Sequence, residues 1–82
     1  MYQFEAPIGT FVIQPAPGGV AGRWELVVNG PGGACEYVAA YGKVLEAVAA
    51  VHDHRTGWPA WDGRPPSATD PANLAGWART AL

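Results

Sequence analysis

The hydrophobic period of this chain changes once, between residues 41 and 44, and that change limits the folds open to it. Before it, apolar residues alternate as in strands. Residues 23–29, Arg-Trp-Glu-Leu-Val-Val-Asn, put Trp24, Leu26 and Val28 on one side and Glu25, Val27 and Asn29 on the other. Residues 35–41 alternate again, with Tyr37 and Tyr41 together. Residues 10–14, Thr-Phe-Val-Ile-Gln, have the β-branched and aromatic content of a third strand. Residues 2–5 read as a further short strand cut off by Pro7 and Gly9. After the change, Val44, Ala47, Val48 and Val51 recur at steps of three and four, the spacing of an amphipathic helix.

The punctuation between these segments agrees with the periods. Pro15-Ala-Pro-Gly-Gly defeats any ladder and reads as a loop, and Asn29-Gly-Pro-Gly-Gly reads as a hairpin turn. Gly57 is placed to end the helix in a left-handed cap, and Pro59 prevents its resumption. Gly63-Arg-Pro-Pro-Ser reads as a linker. Asp70 and Pro71 then have the form of a helix start, with Leu74, Trp77, Ala78 and Leu82 as the apolar face of a second helix. The expected fold is α+β: one compact domain over residues 1–82, with a small antiparallel sheet of about three strands packed on one face by two helices.

A chain of 82 residues buries only about 60% of the surface its unfolded form exposes. Much of the 49% hydrophobic content is alanine, so the tryptophans, tyrosines and phenylalanines carry a large share of the core. The net charge of −2 and the absence of any lysine or arginine run give no footprint for nucleic acid. Cys35 is the single cysteine, which fits a reducing compartment. No basic-then-apolar leader is recognisable, and the longest near-apolar run, 44–51, is far short of a membrane helix of ~20 residues. These readings lead to the expectation of a soluble, cytoplasmic, monomeric protein.

The segment 52–62, His-Asp-His-Arg-Thr-Gly-Trp-Pro-Ala-Trp-Asp, concentrates the chain's chemistry-bearing residues. His52 and His54 are two residues apart, whereas helical metal ligands prefer a four-residue step, so no metal is expected. They read instead as helix-end cations at the negative end of the dipole. Cys35 has no base beside it in sequence, and Gly-Pro-Gly-Gly at 30–33 lacks the lysine and following helix of a phosphate loop. No enzyme activity and no cofactor are therefore expected. Trp58 and Trp61 admit three readings: a core plug, an exposed anchor for a partner together with Arg55, or a ligand cage. Asp62 fits either a partner contact or a local structural bond. Glu25 and Glu36 alternate with core-type residues, so pairing across the turn brings both onto one exposed sheet face as an acidic patch. The candidate partner-binding residues are thus Glu25, Glu36, Arg55, Trp58, Trp61 and Asp62.

The strand Arg-Trp-Glu-Leu-Val-Val-Asn-Gly at 23–30, Tyr41, the helix running into His-Asp-His-Arg-Thr-Gly-Trp-Pro-Ala-Trp-Asp, and Pro-Ala-Asn-Leu-Ala-Gly-Trp at 71–77 resemble a group of small proteins carried on bacterial mobile elements and prophages. Within that group the chain is similar to anti-CRISPR proteins of the type I-C class. The resemblance spans residues 23–77. It implies a non-enzymatic inhibitor that binds protein subunits of a type I CRISPR surveillance complex and keeps it from target DNA, without itself contacting nucleic acid or membrane. Anti-CRISPR proteins share no common motif, so the resemblance assigns no residue a role. The alternative reading is a general accessory or regulatory protein of a mobile element that acts through protein–protein binding.

Overall fold

Four strands follow one another as an antiparallel meander, each separated from the next by a short stretch of sequence that contains glycine or proline. They are β1 (Tyr2–Ala6), β2 (Gly9–Pro15), β3 (Trp24–Asn29) and β4 (Cys35–Tyr41). A short β5 (Ala78–Arg79) returns to pair with β1, giving the order β4-β3-β2-β1-β5. The computed structural model describes residues 1–16, 22–30, 32–65, 71 and 73–79. Gly9 is required where it stands, since a Cβ there would lie 2.5 Å from the Asn29 carbonyl oxygen on the neighbouring strand.

Strand register assigns each side chain to a face. Phe4, Phe11, Val28 and Tyr37 lie opposite one another across β1 to β4, and Tyr2, Ile13, Leu26 and Ala39 form the adjoining row. The helix α1 (Val44–His52) covers this side over β3 and β4, adding Ala47, Val48 and Val51 to the core. Trp61, on the four-residue α2 (Pro59–Asp62), completes it at 2% exposure. Its ring meets Phe11 edge-on at 4.9 Å between centroids, and its Nε1–H donates to the Val51 carbonyl at 2.9 Å. Trp77 packs on Phe4 at 5.5 Å.

The expected three-stranded sheet with two full helices is corrected in two places. Among the described residues the sheet has five strands, because residues 2–6 pair with residues 9–13 of β2 and the segment 78–79 adds β5. There is no second full helix among the described residues. Residues 74–76 form a single 3-10 turn, opened by Asn73, whose side-chain oxygen accepts from Ala75 N–H at 2.9 Å. Gly76 then packs against Pro71 with no room for a Cβ, and Ala78 pairs with Gln3 rather than continuing a helix. Glycine is a poor helix residue, and a short run gains little from helix propagation, so pairing with β1 wins. Asp70 and Leu82, expected in that helix, lie outside the described residues.

The exit from α1 also differs from expectation. The helix ends at His52, and Arg55 N–H reaches back to the Ala50 carbonyl at 2.9 Å. The left-handed residue just past the helix is His54, at φ 54°, not Gly57. His54 is therefore off the helix and buried at 8% exposure, with its ring stacked on Trp61 at 4.3 Å. Gly57, at φ 92°, turns the chain a second time beneath the Tyr37 hydroxyl, which a Cβ would approach to 2.6 Å.

Trp61→Ala should lower stability by roughly 3–5 kcal/mol, a large part of what a domain this small has. Trp58, half-buried and edge-on to Phe11 at 6.3 Å, should cost less when truncated in the same way. Urea unfolding of the two variants checks the order: Trp61→Ala unfolds far earlier than wild type and Trp58→Ala in between.

Candidate protein-binding surfaces

The segment after α1 is held by one carboxylate. Asp62 accepts from Thr56 N–H at 2.9 Å, from the Thr56 hydroxyl at 2.8 Å and from Gly57 N–H at 2.7 Å. The Thr56 hydroxyl oxygen in turn accepts from Trp58 N–H at 3.2 Å, and the Thr56 carbonyl accepts from the Tyr37 hydroxyl at 2.9 Å. The His-Arg-Thr-Gly-Trp-Pro-Ala-Trp-Asp sequence is thus a closed turn in which Asp62 satisfies two backbone donors of the loop that leads into α2. Of the residues proposed there for partner contact, Trp61 is inside the core and Asp62 is engaged in the turn. Trp58 remains half-exposed, its ring nearly parallel to that of Tyr37 at 6.4 Å. Arg55 is exposed and pairs with Asp53 at 2.9 Å, a surface contact of small energetic weight.

His54 Nδ1 lies 2.9 Å from the Trp61 carbonyl. Among the described residues no three or more His, Cys, Asp or Glu side chains come together. Cys35 is exposed at the start of β4, with its sulfur 3.9 Å from the Tyr37 carbonyl. Among the described residues no helix is long and apolar enough to cross a membrane.

The second surface is the side of the sheet opposite α1. Val12, Val27 and Val38 stand opposite one another on adjacent strands and form an apolar stripe across it. Val38 is 49% exposed, and Val12 stays outside the core cluster although it is well shielded. The only charged residues of β1 to β4 are Glu5, Glu25 and Glu36, and alternation puts all three on this side. Glu25 and Glu36 share the face without being neighbours. Glu25 lies opposite Ala40, whereas Glu36 sits four residues away along β4, at a bulge beside Asn29, about 13 Å off at the usual strand rise. Glu5 lies at the Asn29 end, across β2 from it. The acids therefore frame the valine stripe instead of forming one cluster. Glu25 is half-buried and accepts from the Gln14 amide at 2.6 Å; Glu5 and Glu36 are exposed.

Reading the sequence for an acidic patch missed the valine stripe. Its signal was present: Phe-Val-Ile in β2 and Leu-Val-Val in β3 are apolar at both parities, which marks strands with two apolar faces. No protein-family model, no curated protein and no solved structure matches this chain.

Two expectations follow from the turn and its tyrosine neighbours. Asp62→Ala should cost roughly 2–3 kcal/mol, because it strips the acceptor from two backbone donors and one hydroxyl at once; chemical denaturation checks this. Tyr41 has its pKa raised above 10.0, first by burial, then by Tyr37 and by the Asp62 charge. The unfolded chain then releases this proton at a lower pH than the fold does. The associated stability is complete below the ordinary tyrosine range and is lost as pH rises through the folded value. Between about pH 9 and about pH 11, wild type should lose more stability than Tyr41→Phe; equal losses in urea midpoint would remove this contribution.

Proposed function

We propose that this chain acts by binding another protein through the uncovered face of its sheet. The partner in this proposal is a subunit of a type I CRISPR surveillance complex, which the bound chain keeps from engaging target DNA in the bacterial cytoplasm. One observation carries the binding reading: on the side of the sheet opposite α1, the row Val12, Val27 and Val38 runs out to a half-exposed Val38, and the charged residues of β1 to β4 on that side are all acids among neutral polar neighbours. An apolar centre with a polar rim is the anatomy of a protein interface. Subunits that handle guide RNA and DNA present arginine- and lysine-rich surfaces, and an acidic rim complements them, adding association rate and specificity more than raw affinity. The resemblance of residues 23–77 to type I-C anti-CRISPR proteins supports the choice of partner. Inhibition by steric block needs no catalytic group.

The test uses surface plasmon resonance with purified complex and with each separated subunit. Wild type should bind, and Glu5→Lys with Glu36→Lys, both at exposed positions, should keep its melting temperature while associating roughly tenfold more slowly at low salt. An unchanged association rate removes the open face as the contact. No binding by wild type removes the surveillance complex as the partner, and capture of a different host or phage protein by the same face then supports an accessory or regulatory role.

A further inference from the structure

Sheet edges expose unpaired N–H and C=O groups, and proteins guard them with short strands, proline, lysine or a covering element. The two edges here are unequal. β5 is two residues long and ends in Arg79. β4 is seven residues long, carries no proline or lysine, and has Glu36 as its one charge. Among the described residues no strand pairs with its outer side. The bulge at Val28/Asn29 disturbs only its first residues; from Tyr37 to Tyr41 the register against β3 is regular. The two exposed large hydrophobic residues among the described residues, Val38 at 49% and Leu45 at 62%, belong to β4 and to the α1 helix that lies over β3 and β4.

We infer that β4 pairs antiparallel with β4 of a second copy of this chain, about a two-fold axis at Ala39, joining two sheets into one of ten strands. The choice of occupant comes from the strand's own sequence. Ala39 is the midpoint of the regular run, so this register pairs all five of its residues. Tyr37 then faces Tyr41 of the second copy, on either side of a small residue at the axis, and Val38 faces Ala40 of the second copy on the open side. Aromatic cross-strand pairs and large-against-small pairs are favourable in antiparallel ladders. Glu36 falls outside the paired run, so no like charges oppose each other. The valine stripe of each copy ends at this edge, where Val38 meets Ala40 of the second copy; the two stripes then lie offset by two residues, with Glu25 of each copy in line with the other's stripe. This replaces the monomer expected from sequence, and it stands apart from the identity of any foreign partner.

Sedimentation equilibrium on the isolated chain tests the pairing. Wild type at roughly 100 µM should run at the mass of two chains and dissociate on dilution. V38K/A40K sets lysines against each other across the axis and should run as one chain with its far-ultraviolet spectrum unchanged. V38K/A40E sets opposite charges there and should restore the dimer. Residues opposite each other on antiparallel strands have Cα atoms about 4.5–5.5 Å apart, within disulfide range, so C35S/A39C should oxidise to a covalent dimer faster than C35S/V38C. Wild type at the mass of one chain throughout would overturn the inference. So would a dimer indifferent to V38K/A40K, or a V38K/A40E variant as monomeric as V38K/A40K. A dimer that shows the charge effects but cross-links faster at 38 than at 39 would overturn the Ala39 axis.

Discussion

Trp61 is the side chain on which the sheet, the helix and the returning loop all depend. Its ring touches Phe11 from the middle of the sheet and stacks on His54 from the loop, and its N–H closes onto the last turn of α1. A nine-residue helix rich in alanine has little stability of its own, so this bulk is what fixes α1 over β3 and β4. The local shape of the chain serves that placement. His54 accepts a left-handed backbone, Gly57 turns the chain again, and the Asp62 carboxylate ties the turn shut, delivering Trp61 inward one residue earlier. The segment with the most chemistry in the sequence is spent largely on architecture.

This division of labour explains why one face of the sheet is left open. Among the described residues α1, α2 and the aromatic side chains gather on one side, and no described helix lies on the other. The exposed face is not purely polar, as it would be in a sheet that simply faces water; it keeps three valines in a line. Three acids on the same face and no base within β1 to β4 bias any association toward basic surfaces.

Much of the sheet could be read directly. Alternation placed Trp24, Leu26 and Val28 on one side, and the spacing of Val44, Ala47, Val48 and Val51 placed the helix, because both signals come from a face buried against a core. The C-terminal segment was not legible in that way. Leu74, Trp77 and Ala78 fit helical spacing, yet the alternative is a strand pairing with residues at the other end of the chain, and spacing within a window carries no information about such a partner. The same limit applied to the candidate site. Parity assigns Glu25 and Glu36 to one side, but the distance between them depends on which ends of β3 and β4 they occupy. Trp58 and Trp61 look equivalent in sequence, and only the turn held by Asp62 separates a half-exposed ring from a buried one.

The pairing of β5 with β1 joins Tyr2 to Arg79 across nearly the whole chain, whereas β1 to β4 are linked by neighbouring hairpins. Closing so long a loop costs more entropy than any hairpin does, and the reward is a two-residue ladder together with the burial of Trp77 against Phe4. The meander can therefore assemble while the chain is still emerging from the ribosome, and the fifth strand can join only after synthesis has passed it. Until then the outer side of β1 is a second unguarded edge, so the growing chain is more open to wrong pairings than the finished one.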